Sequence, residues 1–102
     1  MRPHVSDRIR KKLREKHGVR VEDVVECFAN RRDDGLLDTR EEHATDPPTR
    51  WIIAETNFGK RLKVIFIARL DGSIVIKSAY PPEPEAEEIY VRHKPPQGDE
   101  GA

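Results

Sequence analysis

The chain has 102 residues, enough for one domain with its own core and too few for two. Only 35% of its residues are hydrophobic and 37% are charged, so part of it is expected to lie outside that core. The net charge is zero, which argues against strong non-specific nucleic-acid binding, but the charge is unevenly spread. Residues 1–20 hold eight Lys/Arg against two Asp/Glu (+6), residues 21–82 nine against eleven (−2), and residues 83–102 two against six (−4). A basic end on a neutral body still allows a local phosphate-binding surface. Cys27 is the only cysteine, which excludes an internal disulfide and a Cys-based zinc site. A lone cysteine with no apolar leader predicts a reducing, cytoplasmic setting, and no apolar run approaches a membrane span.

The first element is a helix. Val5, Ile9 and Leu13 recur every four residues within a basic run, with Ser6 as N-cap and Gly18 as stop. Arg14, Lys16 and His17 in its last turn suit the helix dipole. A second helix follows at about 21–29, with Val21, Val24, Val25 and Phe28 forming a buried face and Cys27 at its edge. The segment 30–35 reads as a loop, 36–39 as a short first strand, and 40–49 as an exposed loop broken by Pro47 and Pro48. Three strands are expected at about 50–56, 61–69 and 73–80, rich in Ile, Val, Phe and Trp. A four-residue turn at 57–60 and a two-residue Asp71-Gly72 turn would join them as an antiparallel meander. Pro81, Pro82 and Pro84 end the sheet, and 83–92 reads as a third helix with Ala86, Ile89 and Tyr90 inward. The expectation is one α+β domain over residues 1–94, with three or four strands, and a disordered tail over 95–102.

With those turn lengths, Thr56 pairs with Arg61 and Leu70 with Ser73, and the two-residue period sorts the sheet into faces. One face would carry Trp51, Ile53, Glu55, Leu62, Val64, Phe66, Ala68, Val75, Lys77 and Ala79, and is the better core. The other would carry an isoleucine centre, the cations Arg50, Arg61, Lys63 and Arg69 without a carboxylate, and Ser78 and Tyr80. These cations either solvate strand ends or hold an anion.

Several stretches, in this order and spacing, resemble the BrnT toxins. They are Lys16-His17-Gly18-Val19 before an acidic amphipathic helix ending in Phe28, and the Gly59-Lys60-Arg61 turn entering a strand. Ile-Val-Ile-Lys-Ser-Ala (74–79) and a helix with Glu87, Glu88 and Tyr90 follow, so that the resemblance covers residues 8–92. It implies a RelE-like fold, a ribonuclease activity without a metal or other cofactor, an RNA substrate, and a DNA-binding antitoxin as partner. The chain departs from the family pattern at Tyr80, where an Arg is usual, and in its neutral charge. It also resembles short bacterial proteins labelled ADP-ribosyl-(dinitrogen reductase) hydrolase. The chemistry of that label calls for a longer, all-helical chain with clustered acidic ligands for two metals.

Metal-independent RNA cleavage needs a base for the 2′-OH, cations for the phosphorane and an acid for the leaving oxygen. Arg61 and Lys63 are the candidate cations, His17 the candidate base and Tyr80 the candidate acid, with Lys16, Arg50 and Arg69 holding substrate. Each has a plainer reading: His17 and Lys16 as helix-end cations, Tyr80 as the seal of a core edge. Asp38, Glu41, Glu42, His43 and Asp46 match no ligand spacing, so no metal is expected. Phe58, an aromatic in a tight turn, is a candidate contact for a base or a partner. The competing function is a non-enzymatic interaction module, whose cationic sheet face binds an acidic or amphipathic protein segment or a second copy of the chain.

Overall fold

Local signals set both N-terminal helices. In the computed structural model, which describes residues 2–38 and 47–93, α1 spans Asp7–His17. The Ser6 hydroxyl accepts from the Ile9 N–H at 3.3 Å, and Gly18 closes the helix in the left-handed region with its N–H on the Arg14 carbonyl. Three residues later α2 begins and runs Val21–Asn30. Asp23 caps it by accepting from the Arg20 backbone N–H and guanidinium, each at 3.0 Å. Burial works against the Asp23 charge, but the Arg20 hydrogen bonds more than offset it and leave the carboxyl pKa lowered.

The strands β1 (Leu36–Leu37), β2 (Thr49–Glu55), β3 (Arg61–Ala68) and β4 (Ile74–Tyr80) form one antiparallel sheet in sequence order. Helix α3 (Pro84–His93) follows. The α+β class, the meander and the placing of two helices before it and one after are as expected from sequence. Among the described residues no helix is long and apolar enough to cross a membrane. Most of the loop expected over 40–49, with Glu41, Glu42, His43 and Asp46, and the tail expected over 95–102 lie outside the described residues.

The register differs from expectation by one residue at both hairpins. Thr56 pairs with Lys60 and Arg69 with Ser73 through backbone bonds of 2.9 and 2.8 Å, so each loop contains three residues. Each loop ends in a glycine with positive φ, Gly59 at 86° and Gly72 at 90°, the conformation such three-residue loops require. Glu55 therefore faces Arg61, and Ala68 faces Ile74. A bulge at Lys77 shifts β4 by one residue, so that Ser78, Ala79 and Tyr80 return to the expected partners.

One sheet face carries Ile52, Ala54, Leu62, Val64, Phe66, Ile76 and Ala79. It packs on Ile9 and Leu13 of α1 and on Val24, Cys27 and Phe28 of α2. Phe28 and Phe66 meet edge to face at 4.9 Å. The buried Cys27 thiol donates to the Ala54 carbonyl at 3.6 Å, and desolvation pushes its pKa up to about 12, so it acts as a small core residue. The second face holds a smaller cluster of Trp51, Ile53 and Tyr90, with Leu36, Ile65, Ala86 and Ile89 against it. Thus Trp51 and Ile53 are core residues, but under α3 rather than under α1 and α2. The N-terminal segment covers part of the outer edge of β4: His4 donates to Ile74 at 2.8 Å and accepts from Ile76 at 2.9 Å.

Candidate functional site

The second face was expected to hold cations without carboxylates, and the register overturns that. Arg61 donates from Nε and Nη2 to the two Glu87 oxygens at 2.6 Å each, and from Nη1 to Glu55 at 3.2 Å. Glu55 comes from the slipped register of β2, and Glu87 from α3, which lies over that strand. The Glu87 hydrogen bond holds the Arg61 pKa above its ordinary value, with Glu55 adding to the effect. In turn the Arg61 hydrogen bond holds the Glu87 carboxyl below its ordinary value. The anion that Arg61 holds in this structure belongs to the same chain.

Lys63, two residues on, shares the face with Arg61. Its ammonium lies 4.5 Å from the centre of the Trp51 ring and 5.9 Å from that of Tyr80, its partner across the β3–β4 ladder. The Tyr80 ring also meets the His17 ring, centroids 5.2 Å apart and planes tilted by 42°. Tyr80, at the end of β4, thus meets one residue from the end of α1 and one from β3. Partial burial holds the His17 imidazole below its ordinary pKa, and the positive charges of Lys16 and Lys12 add to that. These effects favour the neutral ring, the form that can accept a proton.

The other expected site residues fall elsewhere. Arg50 is on the opposite face, where it lines a small hollow with Phe28, Asp34 and Phe66. Arg69 stands exposed where β3 enters its turn, five residues beyond Val64 and far along the strand from Lys63. Lys16 is exposed at the end of α1, beside His17.

Asp33 and Tyr90, the latter expected on the inward side of the helix, anchor α3. The Tyr90 hydroxyl donates to the Asp33 carboxylate at 2.6–2.7 Å, and Asp33 also accepts from the Gly35 N–H at 2.8 Å. Burial, then the Asp33 charge and hydrogen bond, raise the Tyr90 pKa. The Tyr90 ring rests on Trp51 at 5.6 Å. The helical period supplies one signal for Glu87: it lies three residues before Tyr90 and so on a neighbouring stripe of the same helix. Asp33 had no such signal, because its partner is 57 residues away.

Two clefts flank α3. One of about 600 Å³ is polar and is lined by Asn30, Arg31, Arg32, Asp33, Asn57 and Arg61 among others. The other, about 660 Å³, has Leu36, Trp51, Ala86 and Ile89 in its wall, with Lys63, Glu83 and His93. Among the described residues, no group of three or more His, Cys, Asp or Glu side chains is placed to hold a metal. Comparison with protein-family models, with curated proteins and with solved structures finds no match to this chain.

Proposed function

We propose that this chain is a BrnT- and RelE-like ribonuclease that cleaves RNA without a metal, with His17, Tyr80 and Lys63 as its reacting groups. The observation that carries the reading is the contact of His17 with Tyr80, 63 positions apart in sequence, beside the Lys63 ammonium. A neutral His17 takes the proton of a ribose 2′-OH as that oxygen attacks the adjoining phosphorus. Lys63 offsets the charge that gathers on the phosphorane oxygens. The P–O5′ bond then breaks, the Tyr80 hydroxyl gives its proton to the leaving O5′, and a 2′,3′-cyclic phosphate remains. Lys16, exposed next to His17, is placed to attract the backbone. Such a protein would meet its RNA in the cytoplasm, and an acidic antitoxin segment would neutralise it by covering the same face.

An RNA cleavage assay in excess chelator tests this, with the parent beside His17→Asn and Tyr80→Phe. Each variant should lose about a hundredfold or more in rate, and the acid limb of the parent's pH profile should lie below pH 6.5. Variants that cleave like the parent would remove these residues from the chemistry.

A second reading, a binding module without turnover, draws support from one observation. The strongest cation of the face, Arg61, is already neutralised by Glu87 and Glu55, and the chain as a whole has no net charge. On that reading the parent cleaves nothing and forms a stable complex with a protein partner or with itself, through the same face.

A further inference from the structure

The grip on Arg61 has a geometry of its own. Two guanidinium N–H groups meet two oxygens of one carboxylate, the fork that also fits two oxygens of a phosphate. Arg61 also lines the polar cleft of about 600 Å³, together with Arg31 and Arg32. Arg31 donates to the Phe28 carbonyl at 2.6 Å and lies over the Phe28 ring. Arg32 is exposed and has no hydrogen bond or ion pair among the described residues. Of the carboxylates in the cleft wall, Asp33 is taken up by Tyr90 and Gly35, and Glu55 by Arg61. Glu87 reaches Arg61 from α3, which is held to the sheet by a small apolar cluster and by these polar contacts.

Resting on the RNA-cleaving function proposed above, we propose that the Arg61 fork at this cleft binds a phosphate group of a nucleic-acid strand, and that Glu87 holds that fork as a built-in competitor. The incoming phosphate takes over the two N–H groups that Glu87 holds and meets Arg32 from the open side. Glu87 then turns to solvent, where a carboxylate at the helix's exposed flank is well hydrated. The site differs from the His17–Tyr80–Lys63 cluster and does not depend on cleavage.

The test is the affinity of a fluorescein-labelled 2′-O-methyl decauridylate, which lacks the attacking hydroxyl and cannot be cleaved. Glu87→Gln keeps the shape of the side chain and removes its charge, and should tighten binding about tenfold. Glu85→Gln removes the same charge from the same helix without touching Arg61, and should change affinity less than about twofold. Adding Arg61→Gln to Glu87→Gln should abolish the gain. Equal gains in the two glutamine variants, or a gain that persists without Arg61, would overturn the proposal. Trp51 fluorescence reports whether α3 stays docked. Should Glu87→Gln release it, the parent answers instead: titration with inorganic phosphate should move the Arg61 Nε–H resonance saturably, and a resonance that stays still would overturn the site.

Discussion

The two faces of the sheet are held by different forces. The face under α1 and α2 buries fourteen residues in one cluster, with Leu13, Val24, Cys27, Ile52, Leu62, Val64 and Ala79 wholly shut off from water. The face under α3 has three buried residues in its cluster and relies on directional contacts: Arg61 with Glu87, Tyr90 with Asp33, Lys63 over Trp51. Apolar burial holds no charge to titrate or screen, and a missing methylene is felt wherever the packing is close. A polar clamp has the opposite character, because it can open without exposing much apolar surface. The first face therefore defines the fold, and the second is where charge and pH can act.

The largest expected effect lies on the first face. Leu13→Ala removes a side chain with no exposure and should cost about 3 kcal/mol in urea unfolding at any pH between 4 and 8. A cost below about 1 kcal/mol would mean that α1 is not part of the core the packing describes.

The second face gives a smaller effect with a pH signature. Arg61 and Glu87 side chains remain 43% and 31% exposed, so water screens them, and a double-mutant cycle with Ala should give a coupling of about 1 kcal/mol. Glu87 has a lowered pKa in the folded state, so the folded protein binds its proton less readily than the unfolded chain. The coupling is therefore present above the ordinary glutamate value of 4.5 and is lost as pH falls through the lowered folded value. A coupling near zero at pH 7 would assign α3 docking to the Trp51–Tyr90 contact instead.

The same contrast explains what was legible in the sequence. Ser6, Gly18 and the apolar stripes of α1 and α2 are local signals, and they placed both helices within a residue of their ends. Strand identity was legible from the runs of β-branched residues. Register was not, because Asp71-Gly72 suits both a two-residue and a three-residue loop, and Gly59 leaves the same ambiguity. That single residue decides whether Glu55 opposes Arg61 or lies on the other side of the sheet, and it moved Arg50 away from the cationic set. The Lys77 bulge has no sequence mark, yet it is the reason Tyr80 still stands beside Lys63. Tyr80 meets His17 on one hand and Lys63 on the other, while Arg61 is held by two carboxylates rather than free. The carboxylates that take Arg61 reach it from 6 and 26 positions away, separations over which composition and periodicity carry no information.

The smallest effect expected concerns a residue that belongs to neither face. Phe58 stands 87% exposed at the tip of the β2–β3 loop, where its N–H donates to the Thr56 hydroxyl at 3.3 Å and its ring rests on neither cluster. Phe58→Ser keeps that backbone bond and removes almost no buried area. Its unfolding free energy should stay within about 0.5 kcal/mol of the parent. The tip is close to the Arg61 end of β3, so the same variant can still weaken binding of the uncleavable decauridylate through a lost ring–base contact. Unchanged stability with weaker binding would extend the proposed nucleic-acid surface from the second face to the hairpin tip. Unchanged stability with unchanged binding would leave Phe58 as a solvated turn residue and confine that surface to the strip between Arg61 and Tyr80.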